Sequence, residues 1–159
     1  VSGGNSSSLP MLYSGGPVAG INHLRIGEGI LLGRETLNGR PLPGLFQDAF
    51  IVEAEVLQSQ WKPRQAEGEI GRDAFGRKPE IPEVGDGYRL LLNLGQQDTP
   101  LSGLTPMEPG VRILGGSSDY LVLAGAEKIR VGSILHFIPN YWGLLALMTS
   151  PYVRKYHLN

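Results

Sequence analysis

The 159-residue chain contains no cysteine, which excludes disulfides, zinc–thiolate sites and thiol catalysis. It also lacks an excess of charge of either sign: 14 Lys and Arg stand against 15 Asp and Glu. With no polybasic run or stripe, neither a nucleic acid nor an anionic membrane is an expected partner. No apolar run has the length or flanks of a membrane span or signal peptide, so the chain reads as soluble and cytoplasmic, with no membrane partner. Its three histidines, His23, His136 and His157, do not have metal-ligand spacing, and no metal site is expected. The first residue is Val1 rather than methionine, which fits an internal or C-terminal piece of something longer.

What the chain does have is turn chemistry, with 23 Gly and 12 Pro, and enough apolar residues, 41%, for a core. "SSSLPMLYSGG" predicts one short helix, capped by a serine, with Pro10 in its first turn and Gly15 and Gly16 at its end. "INHLRIGEGILLG" reads as a buried strand whose glycines permit a bend or the close approach of a ligand. "NGRPLPG" reads as a linker. In "AFIVEAEVLQSQW", Phe50, Val52, Ala54 and Val56 alternate with Glu53 and Glu55, the pattern of a half-buried antiparallel strand. "GYRLLLNLG", "VRILGG", "DYLVLAG" and "VGSILHFIPN" are further short strands, as in an all-β barrel or sandwich. His136 reads as a partly buried strand histidine. "YWGLLALMTSP" suits a short helix entered at Asn140, with Trp142, Leu144 and Leu145 as core. Residues 1–42 then form the tail of one architecture, and 43–159 a β domain.

The opening "VSGGNSSSLP" has two readings. A Gly-rich turn with hydroxyls at a helix start is an anion site in outline, with Asn5, Ser6 and Ser7 as added donors. It is equally a flexible tail with an ordinary cap. Arg25, just before Gly27 and Gly29, likewise either meets a ligand or closes a salt bridge at a strand end.

"SGGNSSSL", "NHLRIGEGILLGRET", "GEIGRDAFG", "LGQQDT" and "ILGGSSDYLVL", in this order, resemble the C-terminal half of the pyridoxal-phosphate-dependent ornithine racemase-like enzymes of the alanine racemase superfamily. The resemblance runs from the first residue to about Tyr152. It implies a mainly β fold: a C-terminal antiparallel β domain preceded by the last strand–helix–strand piece of a (β/α)₈ barrel that binds pyridoxal phosphate. "SGGNSS" would follow the seventh barrel strand and "LRIGEG" would be the eighth, at the phosphate end of the cofactor. Asn5, Ser6, Gly27 and Glu28 would contact phosphate, the last two through backbone N–H, and Tyr152 would reach it from near the C-terminus. Arg25 matches the arginine at the pyridine nitrogen, where a group that keeps its proton leaves the ring nitrogen unprotonated.

The resemblance also fixes what to expect of the remaining site. The lysine that attaches the cofactor lies, in the family, before this chain begins. None of Lys62, Lys78, Lys128 and Lys155 matches it. Where alanine racemases offer a tyrosine across the dimer, "LGQQDT" has Gln96, and an amide is no general base. Asp98 and Tyr120 are the candidates for a second base, Asp98 having a turn cap as its alternative and Tyr120 an interface contact. "GGSSDY" would place Ser118 and Asp119, with Gln96, against the substrate, and it is also good turn chemistry. Arg72 and Asp73 of "GRDAFG" belong either to a dimer interface or to a hairpin. The implied function is the C-terminal portion of an amino-acid racemase for ornithine or another basic amino acid. Its implied partners are the missing N-terminal barrel portion, the amino-acid substrate and a second copy in a homodimer. A non-catalytic β module that dimerises or binds a small anion is the alternative.

Overall fold

The computed structural model describes residues 1–16, 18–63, 69, 71–72, 76, 78 and 84–157. Two compact units divide the chain, Val1–Phe50 and Ile51–Asn159.

In the first unit, β1 (Ser2–Asn5) and β2 (His23–Arg25) pair in parallel, Ser2 opposite His23 and Asn5 opposite Arg25. Parallel neighbours require a crossover. It is supplied by a 3₁₀ turn, Ser6–Ser8, running into α1 (Leu9–Gly15), with proline in the first turn and Gly16 at φ 78° after the last. The expected serine cap is replaced. Asn5 caps the turn by accepting the Ser7 amide, while Ser8 makes no side-chain cap to α1. Asparagine is as good a cap as serine, and it stands where the chain leaves the extended conformation.

The single strand expected over "INHLRIGEGILLG" is also corrected. β2 stops at Arg25, and Glu28–Leu32 form a short helix, α2. Gly27 breaks the extended run and Gly33, left-handed at φ 62°, ends the helix. No side chain fits at Gly33, where a Cβ would lie 2.1 Å from the Phe46 carbonyl oxygen. Gln47 Nε2 donates to that glycine's own carbonyl at 2.6 Å. These contacts place residues 43–50 with the first unit, beyond the boundary at 42/43 read from the sequence. "NGRPLPG" is no loose linker: Leu42 is buried, and Arg34 bridges antiparallel to Pro41 around the buried Glu35.

The second unit is a six-stranded antiparallel sheet. Its strands are β3 (Val52–Lys62), β4 (Gly87–Leu92), β5 (Leu104–Pro106), β6 (Arg112–Gly116), β7 (Leu121–Gly125) and β8 (Ile134–Pro139), in the order β5-β8-β3-β4-β7-β6. The alternation in β3 holds: Val52, Ala54 and Val56 are buried, Glu53 and Glu55 exposed. They meet Leu90, Leu92, Leu121, Leu123, Leu135 and Phe137 in one core. His136 is half-buried in β8, as expected. The three-residue β5, ending in proline, was not legible.

The closing helix, α3 (Tyr141–Thr149), begins where expected, with Asn140 accepting the Gly143 amide. Gly143 packs backbone to backbone on Gly103, where an added Cβ would lie 2.4 Å from the Gly103 carbonyl oxygen. Of the expected Trp142, Leu144 and Leu145 core, only Leu144 is buried. The inward face is instead Gly143, Leu144 and Leu147, because the close glycine contact fixes which side of the helix turns in. Among the described residues, no helix is long and apolar enough to cross a membrane.

Candidate functional site

Two polar assemblies stand out, one in each unit. In the first, the register of β1 and β2 brings Asn5 opposite Arg25, so the serine-rich turn and "GEG" leave the same ends of two parallel strands. The Ser6 side chain, buried, closes the gap. Its Oγ accepts the Gly29 amide at 3.1 Å and, more loosely, the Gly27 amide at 3.4 Å. Asn5 Oδ1 accepts both the amide and the hydroxyl of Ser7, at 2.9 and 2.7 Å. Space is open above Gly27, where an added Cβ would meet nothing within 4 Å. Glu28 opens α2, and burial raises its carboxyl above the ordinary value.

Arg25 is exposed. Its Nη1 donates to Ser2 Oγ at 2.6 Å, and His23 Nδ1 lies 2.8 Å from the same oxygen. Among the described residues it has no carboxylate partner. Ser2 was not singled out in the sequence, since only the strand register sets it beside Arg25. A separate cavity of about 400 Å³ lies between α1 and the paired strands, lined mainly by apolar side chains such as Met11, Leu12 and Ile21. Asn5, Ser6, Arg25, Gly27 and Glu28 do not line it.

The second assembly follows from sheet register. Leu92 of β4 pairs with Leu121 of β7, and Leu121 with Gly116 of β6. The loop after β4 and the β6–β7 hairpin therefore emerge at one end of the sheet. They are hydrogen-bonded together: Gln96 N donates to Ser117 O at 2.9 Å, Gln97 N to Ser118 O at 3.0 Å, and Gln96 Nε2 to Gly116 O at 2.9 Å. Gly95 is what allows this approach, because a Cβ on it would lie 2.1 Å from the Ser118 carbonyl oxygen. At the hairpin tip, Ser117 Oγ accepts the amides of Asp119 and Tyr120, at 3.3 and 3.1 Å. Ser118 Oγ donates to Asp119 Oδ2 at 2.6 Å. Asp119 and Tyr120 are exposed, and Gln96 and Ser118 half-buried.

Asp98 differs from these. It is buried, and its Oδ1 accepts the hydroxyl of the equally buried Ser150 at 2.6 Å. Ser150 Oγ accepts the amide of Tyr152, whose ring is exposed. Nothing in the sequence marks Ser150, which is remote from Asp98 along the chain. Of "GRDAFG", Asp73 lies outside the described residues, and Arg72 Nη1 donates to Gly76 O at 2.8 Å. Lys62, Lys78, Lys128 and Lys155 are exposed, and Lys155 Nζ donates to Ser150 O. Among the described residues, no group of three or more His, Asp or Glu side chains could hold a metal ion.

No family model matches the chain. It is 42% identical over 158 residues to an ornithine racemase of Acetoanaerobium sticklandii, which covers 98% of this chain and 45% of that protein. It is 43% identical over 157 residues to a lysine racemase of Thermotoga maritima, covering 98% of this chain and 44% of that protein. The chain thus spans somewhat under half the length of these curated relatives. Among solved structures, an alanine racemase from Oenococcus oeni superposes with a TM-score of 0.55 at 19% identity, covering 92% of this chain and 41% of that one. That likeness concerns the fold. The chain is thus similar by sequence, over almost its whole length, to part of an ornithine racemase and part of a lysine racemase, and it shares its fold with part of an alanine racemase.

Proposed function

We propose that the chain is the C-terminal portion of a pyridoxal-phosphate-dependent racemase acting on ornithine, lysine or a similar basic amino acid. The observation that carries this reading is the convergence of the Asn5–Ser7 turn with Gly27–Gly29 at the ends of two parallel strands. Parallel strands present ligands at their C-terminal ends, and phosphates in particular at turns rich in free N–H groups. The residues present fit a phosphate. The Gly27 amide is only loosely held by Ser6, and the space above it is open. Asn5, Ser6 and the amides of Gly27 and Glu28 would hold the phosphate. When bound, pyridoxal phosphate supplies the electron sink that acidifies the Cα–H of an amino acid.

Arg25, steadied by Ser2, would meet the cofactor's ring nitrogen and, keeping its own proton, leave that nitrogen unprotonated. Gln96, Ser118 and Asp119 would line the substrate, the exposed Asp119 carboxylate attracting the side-chain amine of a basic amino acid. The sequence similarity to an ornithine racemase and a lysine racemase supports that choice. Tyr120, exposed at the same hairpin, would move the proton on the face opposite the attaching lysine, which is supplied from outside these residues. Polar loops gathered at one sheet end are poor core and good site walls, and these would complete the site of a second subunit in a two-fold dimer.

The full-length protein, purified with pyridoxal phosphate, is the material for the test. Incubated with L-ornithine, L-lysine and L-alanine and read by chiral chromatography, it should racemise the two basic amino acids in preference to alanine. No turnover of either would overturn the proposal.

A further inference from the structure

We propose that Asp98 is a positioning residue, locked by Ser150, that ties the substrate-facing loop to the segment carrying Tyr152. The inference rests on the racemase reading and assigns Asp98 a role other than proton transfer. Asp98 and Ser150 are each only 6% exposed, and Thr99 beside them 2%. A group that exchanges a proton with a substrate carbon must reach it. The Asp98 carboxylate instead turns inward and takes the Ser150 hydroxyl at 2.6 Å, a short charge-assisted bond.

The bond sits at a junction. On one side the amides of Asp98 and Thr99 both donate to Gly95 O, at 3.1 and 3.2 Å, folding the loop into a tight turn. That turn holds Gln96 and Gln97 on the carbonyls of Ser117 and Ser118, one residue from Asp119. On the other side Ser150 ends α3, its amide bonded to Ala146 O, and its hydroxyl accepts the Tyr152 amide at 3.2 Å. One pair of side chains thus joins the hairpin, the loop and the chain leaving α3. A displacement of about 1 Å in a positioned group can cost on the order of a hundredfold in rate.

The test uses the full-length holoenzyme and four variants: Asp98→Asn, Asp98→Ala, Ser150→Ala and the Asp98→Ala/Ser150→Ala pair. An asparagine oxygen still accepts the serine hydroxyl, so Asp98→Asn should keep kcat within roughly threefold of wild type. A tie acts as a unit. Asp98→Ala and Ser150→Ala should therefore each lower kcat/KM by roughly tenfold to a hundredfold, and the double variant should be no worse than either. Melting temperatures should show the same non-additivity. Asp98→Asn as inactive as Asp98→Ala, with Ser150→Ala near wild type, would make Asp98 a proton carrier and overturn the proposal. Additive effects of the two alanine changes would overturn it too. A wild-type enzyme that racemises nothing would instead overturn the functional reading beneath it, and the two failures are told apart by that one control.

Discussion

The hydroxyl of Ser6 lies 3.1 Å from the amide nitrogen of Gly29, both buried. It stitches the turn after β1 to the first turn of α2. Removing it strands a buried N–H, which costs about 1–3 kcal/mol. Ser6→Ala should therefore lower the unfolding midpoint of the first unit and weaken retention of pyridoxal phosphate by the full-length protein. Ser7→Ala, which removes only an exposed hydroxyl bonded to Asn5, should do much less. Equal effects of the two changes, measured by thermal melting and cofactor titration, would show that Ser6 is not the stitch.

Some of this arrangement was legible in the sequence and some was not, for physical reasons. The α3 boundary was readable because Asn140 is a local signal, acting on an amide three residues away. β3 was readable because one face is buried and the other wet, so polarity alternates. "RIGEGILLG" was misread because a short apolar run is compatible with a strand or a single buried helical turn. The outcome there turned on Gly27 and on Leu9, whose Cδ1 would lie 2.6 Å from a Gly29 Cβ. Contacts such as Ser2–Arg25 and Asp98–Ser150 depend on register and long-range packing. A polar residue type alone does not announce its partner.

Gly95 sets how closely the loop approaches the hairpin. A methyl group there would be 2.1 Å from Ser118 O and 2.4 Å from Ser118 C, and backbone on both sides cannot yield cheaply. Gly95→Ala should cost about 1–3 kcal/mol, as overpacking does, and should raise KM for a basic amino acid by misplacing Ser118 and Asp119. Gly85→Ala, where a Cβ meets nothing within 4 Å, is the matched control. Denaturant melts and steady-state kinetics of the full-length variants check both expectations, and a wild-type KM in a destabilised Gly95→Ala would remove the hairpin from the substrate wall.

Glu35 gives the first unit a pH dependence. Its burial would raise the carboxyl's pKa, but it accepts the amides of Arg40, Asn38 and Leu37 and feels the Arg40 charge. The hydrogen bonds and that charge prevail and hold it below the ordinary value of 4.5. In the window between that lowered value and 4.5 the unfolded chain binds more protons, so stability rises with pH there. The contribution is complete above the window and is lost as pH falls through the folded value. Glu35→Gln should therefore destabilise the first unit at neutral pH and converge on wild type in acid. Melting curves of both proteins across that range test this, and a gap that widens toward low pH would contradict the sign.

Arg25 offers the sharpest chemical test of the proposed cofactor site. Its guanidinium is exposed and held by Ser2 Oγ at 2.6 Å, with no carboxylate partner among the described residues. The charge is therefore available to a ligand. If it faces the ring nitrogen of pyridoxal phosphate, it disfavours a proton there, because like charges repel. Arg25 would in that way favour racemisation over transamination. In Arg25→Glu a carboxylate faces the same nitrogen and favours its protonation. Supplied with excess free pyridoxal phosphate, which replaces any cofactor left carrying the substrate's amino group, the full-length Arg25→Glu enzyme should racemise L-ornithine more slowly and release keto acid in a larger ratio to racemised product, read by coupled dehydrogenase assay. Ser2→Ala, which frees the guanidinium without removing it, should slow racemisation without keto-acid release. Slower racemisation by Arg25→Glu with no keto acid would mean that Arg25 stands elsewhere than at the ring nitrogen.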